Sequence, residues 1–187
     1  MKQNFRLLAL FSFGFSLCMI SCKKETTPDP TLYERVGGTT LVADPNSPGN
    51  QIEQGRLTLR SVVDSSIFVI AADPQMAPYF PVLLGEVTGG NFAGFTTLSE
   101  NFTDFLSVAT GSTNSSYAYT GLNMHDAHDP TVNTRISMKV TEADFNAFVG
   151  DIGIGLAQNG VTSANNADLV NDLVALLNTT KSDIVQQ

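Results

Sequence analysis

Cysteine, histidine and basic residues are all scarce in this chain of 187 residues. Cys18 and Cys22 both lie near the N-terminus, so the rest of the chain has no thiols for a disulfide or a metal site. The 10 Lys and Arg face 18 Asp and Glu and do not cluster, which argues against nucleic-acid binding because phosphate contacts need grouped cations. With 42% hydrophobic and 15% charged residues, the composition is typical of a globular domain.

The common enzyme signatures are also missing. The sequence has no GxSxG motif, no glycine-rich phosphate loop and no HExxH motif. The remaining candidates for chemistry are His125 and His128, which lie near one face if the segment around them is helical. Asp126 and Asp129 could complete a zinc site with them. Two histidines alone are a weak indication of zinc, because such sites take three or four protein ligands.

The N-terminus has the pattern of an export signal. Basic residues precede an apolar run over 7–20, which is too short to span a bilayer comfortably. The run ends in Ser21-Cys22, which resembles a bacterial lipobox and implies cleavage after Ser21 and acylation of Cys22. The alternative is an ordinary secretory signal with an incidental cysteine, since Met19 stands where a lipobox usually has leucine.

These features predict three parts of the chain: a leader over 1–21, a tether over 22–30 and a folded domain over 31–187. The tether is polar and contains prolines, as is typical of a linker. Two or more acyl chains anchor a protein firmly. We therefore expect a location on the bacterial cell envelope, on the periplasmic or outer-membrane side.

Hydrophobic periodicity predicts a mostly helical domain. Apolar residues recur at helical spacing over 57–72, 98–109 and 165–178, and again after a capping box that begins at Thr141. The first of these runs is rich in β-branched residues, but its length favours a helix over a strand. The helix after Thr141 contains glycines that we expect to be tolerated where another backbone or a flat ligand packs closely: Gly150, Gly153 and Gly155.

Five segments in series carry a family pattern. They are 31–38 (TLYERVGG), 62–80 (VVDSSIFVIAADPQMAPYF), 102–111 (FTDFLSVATG), 119–128 (YTG, then Met and His) and 141–161. Each has modest specificity, but together and in this order they resemble the truncated haemoglobins, nearest to group I. The resemblance implies an all-α, globin-like fold, a truncated two-over-two helical sandwich, here with extended loops.

The resemblance also implies haem b as the cofactor and His128 as the ligand of its iron. His125 falls where the family needs no histidine, and we expect it to face solvent. Other residues are expected to line the haem: Phe80, Thr97, Leu98, Asn101, Phe102, Phe105, Tyr119 and Met124. For Phe102 and Phe105 ordinary core packing is the alternative, and the two roles are compatible because haem is part of a globin core.

The chain departs from the family on the distal side of the haem. The family commonly has a Phe-Tyr pair whose Tyr hydroxyl donates a hydrogen bond to the bound gas, and Ser66-Ile67 stands there instead. Ile67 cannot donate, so Asn101, or otherwise Thr97 or Ser66, would have to replace it. Additional residues relative to the family are expected to form loops at 43–55, 81–95 and 129–139.

These observations predict a haem protein that binds a diatomic gas, oxygen or nitric oxide, at the cell envelope. One alternative is a haem enzyme such as a nitric oxide dioxygenase, which needs a reductase that the sequence does not identify. Another is a haem-free globin-like lipoprotein with a binding or structural role. Loss of haem would be indicated by a solvent-facing His128, or by Ile67 and Phe105 filling the pocket.

Overall fold

The computed structural model describes residues 28–187, so the expected leader, Cys22 and most of the tether lie outside the described residues. The α-helices in this part are α1 Leu32–Arg35, α2 Gln54–Ala72, α3 Pro81–Thr88, α4 Ala93–Thr110, α5 Met124–Ala127, α6 Glu142–Gln158, α7 Ser163–Asn178 and α8 Lys181–Ile184. Single 3-10 turns lie at Ala77–Tyr79 and Ser115–Tyr117. Strands β1 (Leu41–Ala43) and β2 (Gln51–Glu53) pair in antiparallel register.

The helices predicted from periodicity are present, and their ends follow local chemistry. Helix α6 begins at the predicted capping box, in which the Thr141 side chain accepts a hydrogen bond from the Asp144 amide at 3.2 Å. The Asp144 carboxylate accepts in return from the Thr141 amide. Helix α4 ends at Gly111, whose φ of +110° lies in the left-handed region that glycine adopts at no steric cost.

Two of the three predicted loops contain regular structure. The segment 43–55 includes the β1–β2 hairpin, in which Ile52 is buried, and the segment 81–95 includes α3 and the start of α4. Helix α3 forms because Pro81 presets its first turn and Leu83 packs into the interior. The segment 129–139 has no helix or strand, as expected.

The helices form two stacked pairs. Helix α2 packs along α4, α6 makes a smaller contact with α7, and the two pairs meet through the extensive contact between α2 and α6. This is the two-over-two helical sandwich. Apolar side chains of α2 and α6, such as Val63 and Ile152, form the interior between the pairs together with the inner face of α7. Within residues 28–187 no helix is long and apolar enough to cross a membrane.

The contact between α2 and α6 is closest at Ser66 and Gly155. A Cβ atom on Gly155 would clash with the Ser66 hydroxyl and lie 3.0 Å from the Ser66 backbone nitrogen. Ser66 is fully buried and donates to the Val62 carbonyl at 2.8 Å, so it cannot move aside freely. Gly155 is therefore a glycine because a neighbouring backbone packs against it. Gly150 and Gly153 have open space around them.

Replacing Gly155 by alanine should destabilise the fold by about 1–3 kcal/mol, because the added methyl overpacks the contact between α2 and α6. Gly153→Ala is the matched control in the same helix. It should stabilise the protein by about 0.5–1 kcal/mol, since alanine reduces the entropy of the unfolded chain and meets nothing in the fold. Urea unfolding of both variants measures the difference. Equal stability of the two variants would contradict the close approach.

Candidate functional site

His128 lies directly after the single helical turn α5, which Asn123 caps by accepting from the Asp126 amide at 2.9 Å. Its Nδ1 atom is 2.8 Å from the Met124 carbonyl oxygen. Because a carbonyl only accepts, Nδ1 carries the proton, and Nε2 keeps its lone pair. Burial lowers the pKa of His128, which favours the neutral imidazole that binds metal ions.

Polar contacts from the following loop and from the end of the chain hold this segment. The Asn133 amide donates to the Ala127 carbonyl and the Gln186 amide donates to the His125 carbonyl, each at 2.8 Å. Helix α5 also packs against α8, whereas it has no extensive backbone packing with α4. One helical turn is unstable on its own, so these contacts are what fix the position of His128.

Half-buried side chains form an apolar wall on the core. They come from the corner before α3 and from helices α4, α5 and α6. Its members are Phe80, Leu98, Phe102, Phe105, Met124 and Phe148. Phe102 and Phe148 join α4 to α6, with ring centroids 6.1 Å apart. Five of these residues were predicted from the sequence to line a haem, whereas the helical spacing of Phe148 indicated only core packing. Fully apolar rings that stay partly uncovered are typical of a surface that another group completes.

Tyr119 closes the end of this wall beside Phe105, and their rings meet edge to face at 6.0 Å. Its hydroxyl donates to the Leu122 carbonyl at 2.5 Å, and burial raises the pKa of the phenol. Gly121 lies directly against this ring, since a Cβ there would be 2.6 Å from the hydroxyl oxygen. The Tyr119 ring thus packs on the glycine of the Tyr-Thr-Gly segment that leads into α5.

The structure does not support the zinc interpretation. Among residues 28–187, no three His, Cys, Asp or Glu side chains come close enough together to hold a metal ion. The side chain of His125 is 58% exposed and pairs only with the adjacent Asp126 at 3.2 Å. It faces solvent, as expected.

No protein-family profile and no curated protein matches the sequence. Among solved structures, the chain is similar to two variants of the truncated hemoglobin from Tetrahymena pyriformis in the Fe(III) form. Each has 20% identity and a TM-score of 0.58, over 84% of this chain and 100% of that chain. The 2/2 hemoglobin from Synechococcus sp. PCC 7002, in the cyanomet state with covalently attached heme, has 19% identity and a TM-score of 0.54 over the same shares.

The chain has the truncated-haemoglobin fold. Within this globin fold, Ile67 is 5% exposed and belongs to the core, so α2 offers no hydroxyl there. Ser66 is not available as a replacement donor, because its hydroxyl is committed to the Val62 carbonyl and packs against α6. Thr97 is exposed. Asn101 is half-buried, and its side-chain amide has no hydrogen-bond partner in the described chain.

One contact that positions the site was not predicted from the sequence. Tyr79 donates from its hydroxyl to the Asp144 carboxylate at 2.6 Å, and Gln75 donates to the same group at 2.9 Å. These bonds tie the corner that carries Phe80 to the start of α6, which belongs to the opposite layer of the globin fold. The bonds to Thr141, Tyr79 and Gln75 together hold the pKa of Asp144 well below its usual range.

Burial and the Asp144 carboxylate raise the pKa of Tyr79 from 10.0 to about 12. Since the folded-state pKa is the higher one, this stabilisation is complete below pH 10 and is lost as the pH rises towards 12. Tyr79→Phe should therefore cost about 1.5–3 kcal/mol near neutral pH and should flatten the alkaline fall in stability.

Urea unfolding at a series of pH values between 7 and 12 measures both effects of Tyr79→Phe. The control is Tyr117→Phe, because the Tyr117 hydroxyl has no hydrogen-bond partner in the described chain. That variant should change the free energy of unfolding by less than about 0.5 kcal/mol. Identical alkaline profiles for Tyr79→Phe and the parent would show that the bond to Asp144 does not form.

Proposed function

We propose that this protein binds haem b, that His128 would ligate its iron, and that the haem-loaded protein binds a diatomic gas, oxygen or nitric oxide. One observation carries the proposal. In a chain with the truncated-haemoglobin fold, a half-buried imidazole donates from Nδ1 to a backbone carbonyl and keeps Nε2 for a metal. The imidazole is where the family pattern places its iron ligand.

The residues present fit a haem. A neutral imidazole nitrogen suits iron, and the Nδ1 bond to the Met124 carbonyl fixes the ring and makes Nε2 more basic. The apolar wall supplies the faces on which a flat macrocycle packs. Covering it is favourable by about 25 cal/mol for each Å² of apolar surface removed from water. When bound, the haem supplies an iron atom that coordinates small diatomic ligands.

The side chains of this chain then have separate tasks. His128 holds the metal, while Phe102 and Phe105 keep water from the apolar face. Asn101, which has no partner in the described chain, is the candidate donor of a hydrogen bond to the gas. Ile67 leaves α2 without a donor, so the affinity for oxygen depends on α4.

A haemin titration of the purified protein tests the proposal. The parent should give a saturable Soret band, and His128→Ala should weaken haemin binding by at least about tenfold, because even outer contacts to a metal ligand contribute ~10–100-fold. His125→Ala is the control and should bind like the parent, since that side chain faces solvent. After reduction, carbon monoxide and nitric oxide should shift the band.

Three results would contradict parts of the proposal. A folded parent without a saturable band would make the protein a haem-free globin-like one. Equal loss of haemin binding in both histidine variants would remove His128 as the ligand. If the parent binds haemin but its reduced absorption spectrum does not change with either gas, haem binding stands and the gas function is refuted.

We further propose that the protein is anchored to the bacterial cell envelope through a lipid on Cys22. The support is the apolar run over 7–20 followed by Ser21-Cys22. Bacteria expressing the gene in the presence of a radiolabelled fatty acid should label the parent but not Cys22→Ser. Cys18→Ser is the control and should be labelled, because the bulky Leu17 before it does not fit a lipobox. Label that survives in Cys22→Ser would refute the anchor.

A further inference from the structure

An open cleft of about 470 Å³ lies between the second half of α2 and the middle of α6. Its walls include Phe68 and Ala72 from α2 and Ile154 from α6, with Asp73 at the end of α2 and Asp151 on α6. No residue of the candidate haem site lines it. The cleft is therefore a second concave surface, independent of the proposed haem function.

Asp151 is the unusual residue of the cleft. It is 6% exposed, and its Oδ2 atom is buried without a hydrogen-bond partner. Buried carboxylates are normally paired or hydrogen-bonded, because removing a charge from water is costly. Burial, together with the negative charge of Asp73, raises the pKa of Asp151. A residue that costs stability in this way calls for a function or a missing partner.

The described chain supplies no cation to this cleft. Neither α6 nor the cleft-facing half of α2 contains a Lys or Arg. None of the ion pairs within residues 28–187 involves Asp73 or Asp151. Those pairs join Arg35 to Asp172, Arg56 to Asp104, Arg60 to Asp44, His125 to Asp126, Arg135 to Glu86 and Lys181 to Glu142. The carboxyl end of α2 also points its partial negative charge to the Asp73 side.

Apart from Gln158, the rest of the cleft is apolar, and much of it is uncovered. Phe68 is 61% exposed and Ile154 is 50% exposed. Phe68 is supported from behind by Phe95, with ring centroids 5.2 Å apart. An aromatic face attracts organic cations and also packs against alkyl chains. A metal ion fits poorly, because a hard divalent cation requires more oxygen ligands than two carboxylates provide.

We propose that this cleft binds a primary ammonium group carried on a short apolar chain. Asp151 is its counter-ion, Asp73 adds to the negative potential, and Phe68 and Ile154 flank the apolar chain. Binding removes the cost of the unpaired carboxylate, so the ligand stabilises the protein.

Hexylammonium is the first probe, titrated into isotope-labelled protein and followed by NMR. Amide signals of the cleft, around Ala72 and Ile154, should shift and saturate, while 1-hexanol should not reproduce the effect. Asp151→Asn should weaken hexylammonium binding by at least about tenfold, since it removes a charge-assisted hydrogen bond. Asp168→Asn removes the same charge from an exposed position on α7 and should bind within about twofold of the parent.

Thermal unfolding gives a second readout that does not depend on NMR. Without ligand, Asp151→Asn should melt above the parent, because the buried charge is gone, and Asp168→Asn should melt at the parent's temperature. Hexylammonium should raise the melting temperature of the parent and of Asp168→Asn only. Nα-acetyl-lysine methylamide distinguishes the source of the ammonium group. Tighter binding of this compound indicates a lysine of a partner protein, and tighter binding of hexylammonium indicates a free amine.

Binding of hexylammonium and hexanol with equal affinity would overturn the proposal, as would unchanged binding by Asp151→Asn. Shifts confined to amides outside the cleft would also overturn it. None of these measurements involves haem. If hexylammonium does not bind, the haem proposal still stands, and if haemin does not bind, the proposal for the cleft still stands.

Discussion

The close approach of α2 to α6 at Ser66 and Gly155 is the constraint on which the other packing depends. Helix α2 is shared by both layers, because it packs along α4 on one side and α6 on the other. Phe102 on α4 and Phe148 on α6 meet only because α2 sets the separation of the helices that carry them. The apolar wall of the candidate site is thus a consequence of helix packing several residues away from it.

The iron-ligand candidate is positioned by different means. His128 follows a helix of one turn, which packing alone would not hold. Hydrogen bonds from Asn133 and Gln186 fix the backbone on either side of it, and the Met124 carbonyl fixes the ring. The candidate site therefore combines side chains on packed helices with a loop held by polar contacts, an arrangement common where a scaffold presents functional residues.

Sequence reasoning succeeded where the signal is local. Helical periodicity and the Thr141 capping box predicted the long helices, which the structure contains. The role of His128 as an iron ligand stays a prediction. Sequence reasoning failed where the outcome depends on distant partners. Gly155 packs against Ser66 and Gly153 packs against nothing, yet the sequence around the two glycines gives no sign of this difference. The Tyr79 hydroxyl donates a hydrogen bond to Asp144, which lies 65 positions later in the sequence. The hairpin and α3 lie in segments for which the family pattern offers no guide, and their short apolar runs were outweighed by their turn residues.

The distribution of polar groups around the wall bears on how a gas would be held. With Ile67 in the core and Ser66 turned towards α6, neither residue is free to donate, and Asn101 on α4 is the proposed donor instead. The placement of α4 is in turn set by two polar contacts with α2, the Arg56–Asp104 ion pair at 2.6 Å and the Ser99 hydroxyl donating to Asp64 at 2.5 Å. Because these contacts are partly buried, they fix the position of α4 more firmly than surface pairs would. In the proposed haem protein, a hydrogen bond from Asn101 to the gas would thus depend on how the two helices of one layer are held together.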